Sequence, residues 1–199
     1  MQYDRKDHFY RKAKKEGKAS RAVYKLDELQ EKFKLVRQGS VAIDLGSAPG
    51  GWMQELSRMV GKSGKVIGID ILPLKIQLPP NCTFFLGDIE DTMMREKLFE
   101  SAGRDVDAVV SDMAPNISGI PFADAHRSYL LACLALDVCD FILKKGGNFV
   151  AKTFPGEDFA VFKALLKKKF EKVSQVIPEA TRKSSKEVYL VGLKFVGRQ

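Results

Sequence analysis

The stretch Val41–Trp52, VAIDLGSAPGGW, constrains the fold of this chain more than any other. Val41, Ala42 and Ile43 read as a short buried strand, and Asp44 stands where that strand ends. Gly46, Gly50 and Gly51 follow within six residues. Trp52, Met53, Leu56, Met59 and Val60 then recur at helical spacing. Strand, glycine turn and helix together set a ligand at the carboxyl end of a parallel sheet. There the glycines let the backbone come close and the helix start offers free N–H groups. The dinucleotide fingerprint needs a glycine where Ala48 stands, so the turn suits a nucleoside better than a pyrophosphate.

Two later acids extend the pocket. Asp70 ends a strand over Lys65–Ile69, near where an acidic residue takes ribose hydroxyls. Asp88 ends a strand over Thr83–Leu86, placed to meet a base edge. Further strands are expected over Val106–Val110, Asn148–Ala151, Lys172–Ile177 and Val188–Phe195. Helices are expected over Ala22–Phe33 with Ser20 as N-cap, Gly51–Met59, Thr92–Glu100, Asp124–Leu143 closed by Gly146-Gly147, and Asp158–Phe170. Ile117–Phe122 reads as a loop. Alternating strands and helices make an α/β doubly wound sheet with helices on both faces. The last two strands, with no helix between them, make an edge hairpin.

With 199 residues the chain fits a single domain, 1–199, with enough length for a full core. No segment has the length of a membrane span, and the polar N-terminus lacks an apolar signal region. Cys82, Cys133 and Cys139 are odd in number and not spaced like metal ligands, which points to small buried residues in a reducing cytoplasm. His8 and His126 are too scattered for a zinc site. The formal charge of +8 favours a polyanionic partner. An N-terminal arm over residues 1–20 concentrates Arg5, Lys6, Arg11, Lys12, Lys14, Lys15 and Lys18 among Tyr3, Phe9 and Tyr10. Basic and aromatic residues so mixed can grip phosphates and stack on bases, or simply be solvated. Lys163, Lys167–Lys169 and Arg182–Lys186 add further positive segments.

Lys152 ends a buried strand, where its charge must be paired or its pKa must fall. Asp112 and Glu187 lie at the same sheet edge, and Lys25 reaches them from the first amphipathic helix. Two ammoniums and two carboxylates crowded beside a nucleoside pocket suit activation of a weakly acidic alcohol. A second ammonium disfavours the charged form of Lys152, and the carboxylates limit the cost of burial.

These motifs resemble the FtsJ/RrmJ family of S-adenosylmethionine-dependent ribose 2′-O-methyltransferases. The likeness rests on SRAVYKLDE around Lys25, DLGSAPGGW, GIDILP around Asp70, GD at Asp88, SDMAPNISG around Asp112, AKTFPGE around Lys152 and SSKEVYLV around Glu187. It runs from Arg11 to Val196. It implies a Rossmann-like class I methyltransferase, mostly parallel and seven-stranded with one antiparallel strand. It also implies a tetrad of Lys25, Asp112, Lys152 and Glu187, in which Lys152 activates or steers the 2′-oxygen. Gly50, Trp52, Asp70, Asp88 and Asp112 match the family's S-adenosylmethionine contacts, and no metal is implied. The bacterial members modify a uridine of 23S ribosomal RNA, so large-subunit RNA is the expected partner, with no obligate protein partner. The tRNA anticodon loop is the alternative substrate. A base amino-methyltransferase, a non-catalytic RNA-binding assembly factor and a nicotinamide dehydrogenase are the rival readings. The first lacks its Pro-Pro-aromatic signature after Asp112.

Overall fold

The computed structural model describes residues 8–103, 105–182 and 184–197. Tyr3, Arg5 and Lys6 of the basic arm, and Lys183 of the basic loop, lie outside the described residues. In chain order the elements are α1 His8–Lys15, α2 Val23–Phe33, β1 Val41–Leu45, α3 Gly51–Val60, β2 Lys65–Asp70, β3 Cys82–Leu86 and α4 Thr92–Ala102. They continue with β4 Val106–Ser111, α5 Pro121–Ile142, β5 Leu143–Thr153, α6 Phe159–Lys169, β6 Phe170–Val176 and β7 Val188–Phe195.

The strands form one sheet in the order β3-β2-β1-β4-β5-β7-β6. Pairs from β3 to β5 are parallel, and β7 runs antiparallel to both its neighbours. The chain winds outward from β1 to β3, returns to β4 and winds the other way. Between β1 and β4 the connections leave in opposite directions, which opens a crevice at the carboxyl ends of those strands. The Asp112 N–H donates to the Leu45 carbonyl there (3.1 Å) and closes the floor of that crevice.

The period of two along each strand divides the core into two layers. Ile43, Leu45, Ile67, Val109, Phe149 and Leu190 face α4, α5 and α6, packing on Leu98, Leu136, Phe162 and Leu166. Ala42, Val66, Val110, Val150, Tyr189 and Val191 face α2 and α3, packing on Leu26, Leu29, Met53 and Leu56. Lys152 follows Val150 by two, Asp112 follows Val110 by two, and Tyr189 lies two beyond Glu187. The same alternation therefore aims these polar residues at the α2 side.

The expected elements are present, with four differences. The basic arm contains a helix, α1, which docks on α2. Phe9 packs against Tyr24 (centroids 5.6 Å apart), Lys12 lies over the Tyr24 ring (4.7 Å), and the Tyr24 hydroxyl donates to Glu16 (2.8 Å). Tyr24 thereby gives a strongly basic segment an apolar place to rest. Helix α2 begins at Val23, and Ser20 Oγ accepts from the Ala22 N–H (3.3 Å) in the turn before it. Helix α5 starts at Pro121, three residues earlier than its apolar pattern, because proline's fixed φ suits a first helical position. It stops at Ile142, and Gly146-Gly147 lie inside β5, where the pairing with β4 shifts between Val106 and Ala108. Among the described residues no helix is long and apolar enough to cross a membrane.

Trp52 joins the layers on the α2 side. Its ring stacks on Tyr189 (5.9 Å) and its Nε1–H donates to the Ala22 carbonyl (2.8 Å) at the start of α2. Trp52→Phe keeps a ring on Tyr189 but removes one hydrogen bond to that carbonyl, which still accepts from the Lys25 N–H (3.1 Å) and the Leu26 N–H (3.4 Å). We expect it to cost about 0.5–1.5 kcal/mol in urea unfolding, and Trp52→Ala about 3–5 kcal/mol.

Candidate active site

Two polar pairs stand at the carboxyl edge of the sheet. Lys152 is buried at the end of β5, with Nζ 2.9 Å from Asp112 Oδ1 and also donating to the Asp112 carbonyl. Lys25, buried in the first turn of α2, pairs with Glu187 just before β7. Tyr189 joins the pairs. Its hydroxyl donates to Asp112 Oδ1 (2.6 Å), and Lys25 Nζ lies 5.8 Å from its ring centroid. Burial opposes ionisation of Asp112, but Lys152, Lys25 and the Tyr189 hydroxyl outweigh it and hold its carboxyl below the usual value. Burial pushes the Tyr189 phenol well up, with the charges of Asp112 and Glu187 adding to it, so the hydroxyl stays a donor. The tetrad expected from the sequence is thus one connected cluster. Tyr189 is a fifth member that sequence reasoning missed, although its signal was present: it shares a strand face with Glu187.

Lys25, Lys152 and Glu187 line a cavity of about 720 Å3. Arg21, Arg182 and Lys186 add positive charge to its wall, and Ile117, Pro121, Phe154 and Pro155 add apolar surface. The cavity matches the size range of small-molecule sites.

The glycine turn lies on the other side of Asp112. Gly46 has φ +80°, and a Cβ there would stand 2.9 Å from the Met113 backbone nitrogen. Gly50 has φ +112°, and a Cβ would stand 2.5 Å from Ile76 Cγ1. Both positions need glycine on conformation and on space. Asp70 ties this turn to β2, accepting from the Ala48 N–H and from the Leu72 N–H (2.8 Å each). A carboxylate has about four lone-pair sites, so Asp70 can still accept from a ligand. Asp88 is exposed and accepts from the Glu90 N–H (2.9 Å). The Trp52 indole is committed to the core, so residue 52 meets a ligand at the turn only through the start of α3.

In the sequence Asp44 stands out only as the end of a strand. In the structure it is fully buried within β1, and neither carboxylate oxygen has a hydrogen-bond partner among the described residues. Ser47 Oγ donates to the Asp44 backbone carbonyl (2.8 Å). Burial, with Asp112 and Asp70 nearby, pushes the Asp44 carboxyl well above the usual value. A buried acid without partners beside a glycine turn is suited to a cationic ligand group.

A sheet of this order, with one reversed strand beside its edge and a glycine-turn crevice at the switch point, is that of a Rossmann-like methyltransferase. A protein of Plasmodium falciparum described as a ribosomal RNA methyltransferase superposes with a TM-score of 0.77 at 30% identity, over 90% of this chain and 100% of that one. The chain belongs to the FtsJ-like methyltransferase family, whose model matches residues 19–195. Ribosomal RNA large subunit methyltransferase E of Bdellovibrio bacteriovorus is 45% identical over 97% of this chain and 98% of its own. The Pseudomonas fluorescens protein of the same name is 44% identical over 96% and 91%.

The raised pKa of Asp44 has a sign for stability. Its contribution is fully present below the unfolded carboxylate value and is lost as pH rises through the folded value. Asp44→Asn removes that loss. In the ligand-free protein the variant should melt at least ~2 °C higher at pH 8, about 1 kcal/mol. The gain should shrink as pH falls toward ~4.

Proposed function

We propose that this chain transfers a methyl group from S-adenosylmethionine to the ribose 2′-hydroxyl of a uridine in large-subunit ribosomal RNA. The observation that carries the reading is the joining of Lys152–Asp112 and Lys25–Glu187 at the wall of one cavity, next to a glycine-turn crevice. The names of the relatives favour ribosomal RNA.

The crevice residues fit the methyl donor. The turn at Gly46 and Gly50 accepts close approach, Asp70 has acceptor capacity left for ribose hydroxyls, and Asp44 offers a buried carboxylate to a cationic group. Gly50, Trp52, Asp70, Asp88 and Asp112 are the contacts we assign, with Asp44 added. When bound, S-adenosylmethionine supplies a methyl group already activated on a sulfonium. The protein then has to align an oxygen with it and exclude competing water.

Lys152 does the aligning. Two of its hydrogens are directed at Asp112, which leaves one direction for the acceptor oxygen. Tyr189 and Lys152 together fix the Asp112 carboxylate, so Lys152 Nζ is held from two sides. Glu187 restrains Lys25, whose positive potential favours the developing alkoxide. The hydroxyl proton passes to Lys152 Nζ, which meets it as a neutral amine in its one free direction, as the new C–O bond forms and the methyl–sulfur bond breaks. Arg21, Arg182 and Lys186 meet the phosphates on either side of the target ribose.

The deciding assay follows labelled methyl from S-adenosylmethionine into large ribosomal subunits and bulk tRNA, both from cells lacking this protein, with the product mapped. We expect label at a ribose 2′-oxygen of the large-subunit RNA. Lys152→Ala should lower turnover by about 10²–10⁴ while calorimetric affinity for S-adenosylmethionine changes less than about threefold. Label in tRNA alone overturns the substrate, label on a base overturns the 2′-oxygen, and no label overturns the catalytic reading. Asp44→Asn should instead weaken that affinity by about tenfold or more, the worth of a charge-assisted hydrogen bond.

Neutralising Arg11, Lys12 and Lys14 together should weaken RNA binding. It should also reduce the slope of log K against log salt by up to about 2–3, at roughly 0.7–0.9 for each phosphate that is no longer neutralised. An unchanged slope would assign α1 to packing on α2 alone.

A further inference from the structure

The acceptor cavity has one wall that the tetrad does not explain. Between β4 and α5 the chain runs through residues 112–120 without helix or strand, and Ile117 on that run is 65% exposed yet lines the cavity. Its start is held by the contacts of Asp112 with Lys152 and Leu45, and its far end by one side chain of α5. Asp124, buried in the first turn of α5, accepts at Oδ1 from the Ser118 N–H (2.9 Å), from Ser118 Oγ (2.8 Å) and from Arg127 Nη2 (2.7 Å). Its Oδ2 accepts from the Gly119 N–H (3.1 Å). Ser118 Oγ in turn accepts from the Ile120 N–H (3.3 Å), and the Asp124 N–H donates to the Ile120 carbonyl (3.0 Å). The backbone on either side of Ser118 is therefore pinned to the helix.

Phe154 supplies the facing part of the apolar surface. It lies two residues beyond Lys152, and its N–H donates to the buried Ser128 Oγ (3.1 Å) on α5. Both apolar walls of the cavity are thus anchored to one helix, while its cations come from α2, from β5 and from the loop before β7. A nucleotide is divided in the same way. Its phosphate and ribose are polar, and the faces of its base are not. Lys152 addresses the ribose in the proposed reading, and apolar surface follows it just past the end of β5, within reach of the attached base.

Resting on the reading of an RNA ribose as acceptor, we propose that Ile117 and Phe154 form the seat for the base of the target nucleotide, and that Asp124 is the positioning residue that holds the Ile117 half of that seat. Contact with the faces of a base contributes affinity with little regard to sequence. The seat orients the ribose over Lys152 and leaves choice of the nucleotide to the surrounding RNA.

The test compares Ile117→Ala, Ile117→Leu, Asp124→Asn and Asp124→Glu with the unaltered protein. It measures KM and kcat on the RNA mapped above, filter binding of the same unmodified RNA, affinity for S-adenosylmethionine, and melting temperature. Ile117 is exposed, so Ile117→Ala should fold normally. It should raise KM for RNA and weaken filter binding by about 5–10-fold, the worth of about two aliphatic carbons covered by the base, and Ile117→Leu should restore both. Asp124→Asn keeps the shape but removes the charge shared by four donors. It should raise KM at least as much as it lowers kcat, with cofactor affinity unchanged. Asp124→Glu should not rescue it, because the longer arm displaces the carboxylate from Ser118 and Gly119. Ile117→Ala with unaltered KM and filter binding overturns the seat. Asp124→Asn that melts lower with an unaltered KM reduces Asp124 to a structural role. Should the unaltered protein methylate no RNA, the catalytic reading falls by itself. The filter-binding comparison of Ile117→Ala, run in that case on large-subunit ribosomal RNA from cells lacking this protein, then still decides the seat: weaker binding supports it, equal binding overturns it.

Discussion

The site depends on how a buried ammonium is kept. Lys152 sits at the end of a strand that is apolar on both faces, and an isolated charge there would be prohibitive. Asp112 answers it with both its carboxylate and its carbonyl, and the rest of the cluster follows. Asp112 must stay ionised although burial opposes it, so Tyr189 donates to it and a second cation, Lys25, stands near. Lys25 in turn needs Glu187. Removing any one of the four charged members leaves the buried charge of its partner unanswered, and for this reason the cluster acts as a unit.

Asp112 also marks the boundary between two chemically different spaces. On one side lie the glycine turn and Asp44, a carboxylate that burial makes costly to ionise and that no described residue partners. On the other side lie cations, a pair of anchored apolar walls and the free direction of Lys152. The first space is built for a ligand that brings positive charge, the second for one that brings negative charge and an apolar ring. The switch point between β1 and β4 is where a doubly wound sheet can open both spaces around one residue.

Much of this was legible in the chain itself. The central strands β1, β4, β5 and β7 carry short, near-continuous apolar runs because both their faces are covered, so their positions and the polar residues at the carboxyl edge of the sheet could be read from the sequence. Gly46 and Gly50 announced a turn that side chains cannot enter. The start of α5 and the path through Gly146-Gly147 were harder to read. Proline and glycine report a local φ, and only the neighbouring strand decides whether the chain there continues a helix or joins a ladder. The fold of α1 was hidden for a similar reason: its partner, Tyr24, looked like an ordinary helix residue.

The sequence alone determined which residues could carry chemistry and that they would stand at the carboxyl edge of the sheet, because strand ends and residue types are local properties. Only the tertiary structure decided which of them meet. The pairing of Lys25 with Glu187 spans most of the chain, the Tyr189 hydroxyl reaches Asp112 across the intervening strand β5, and the Asp44 carboxylate is buried without a hydrogen-bond partner among the described residues. Such partnerships are set by sheet order and by the depth at which each group is buried. Both are properties of the whole packed molecule and not of any segment of it.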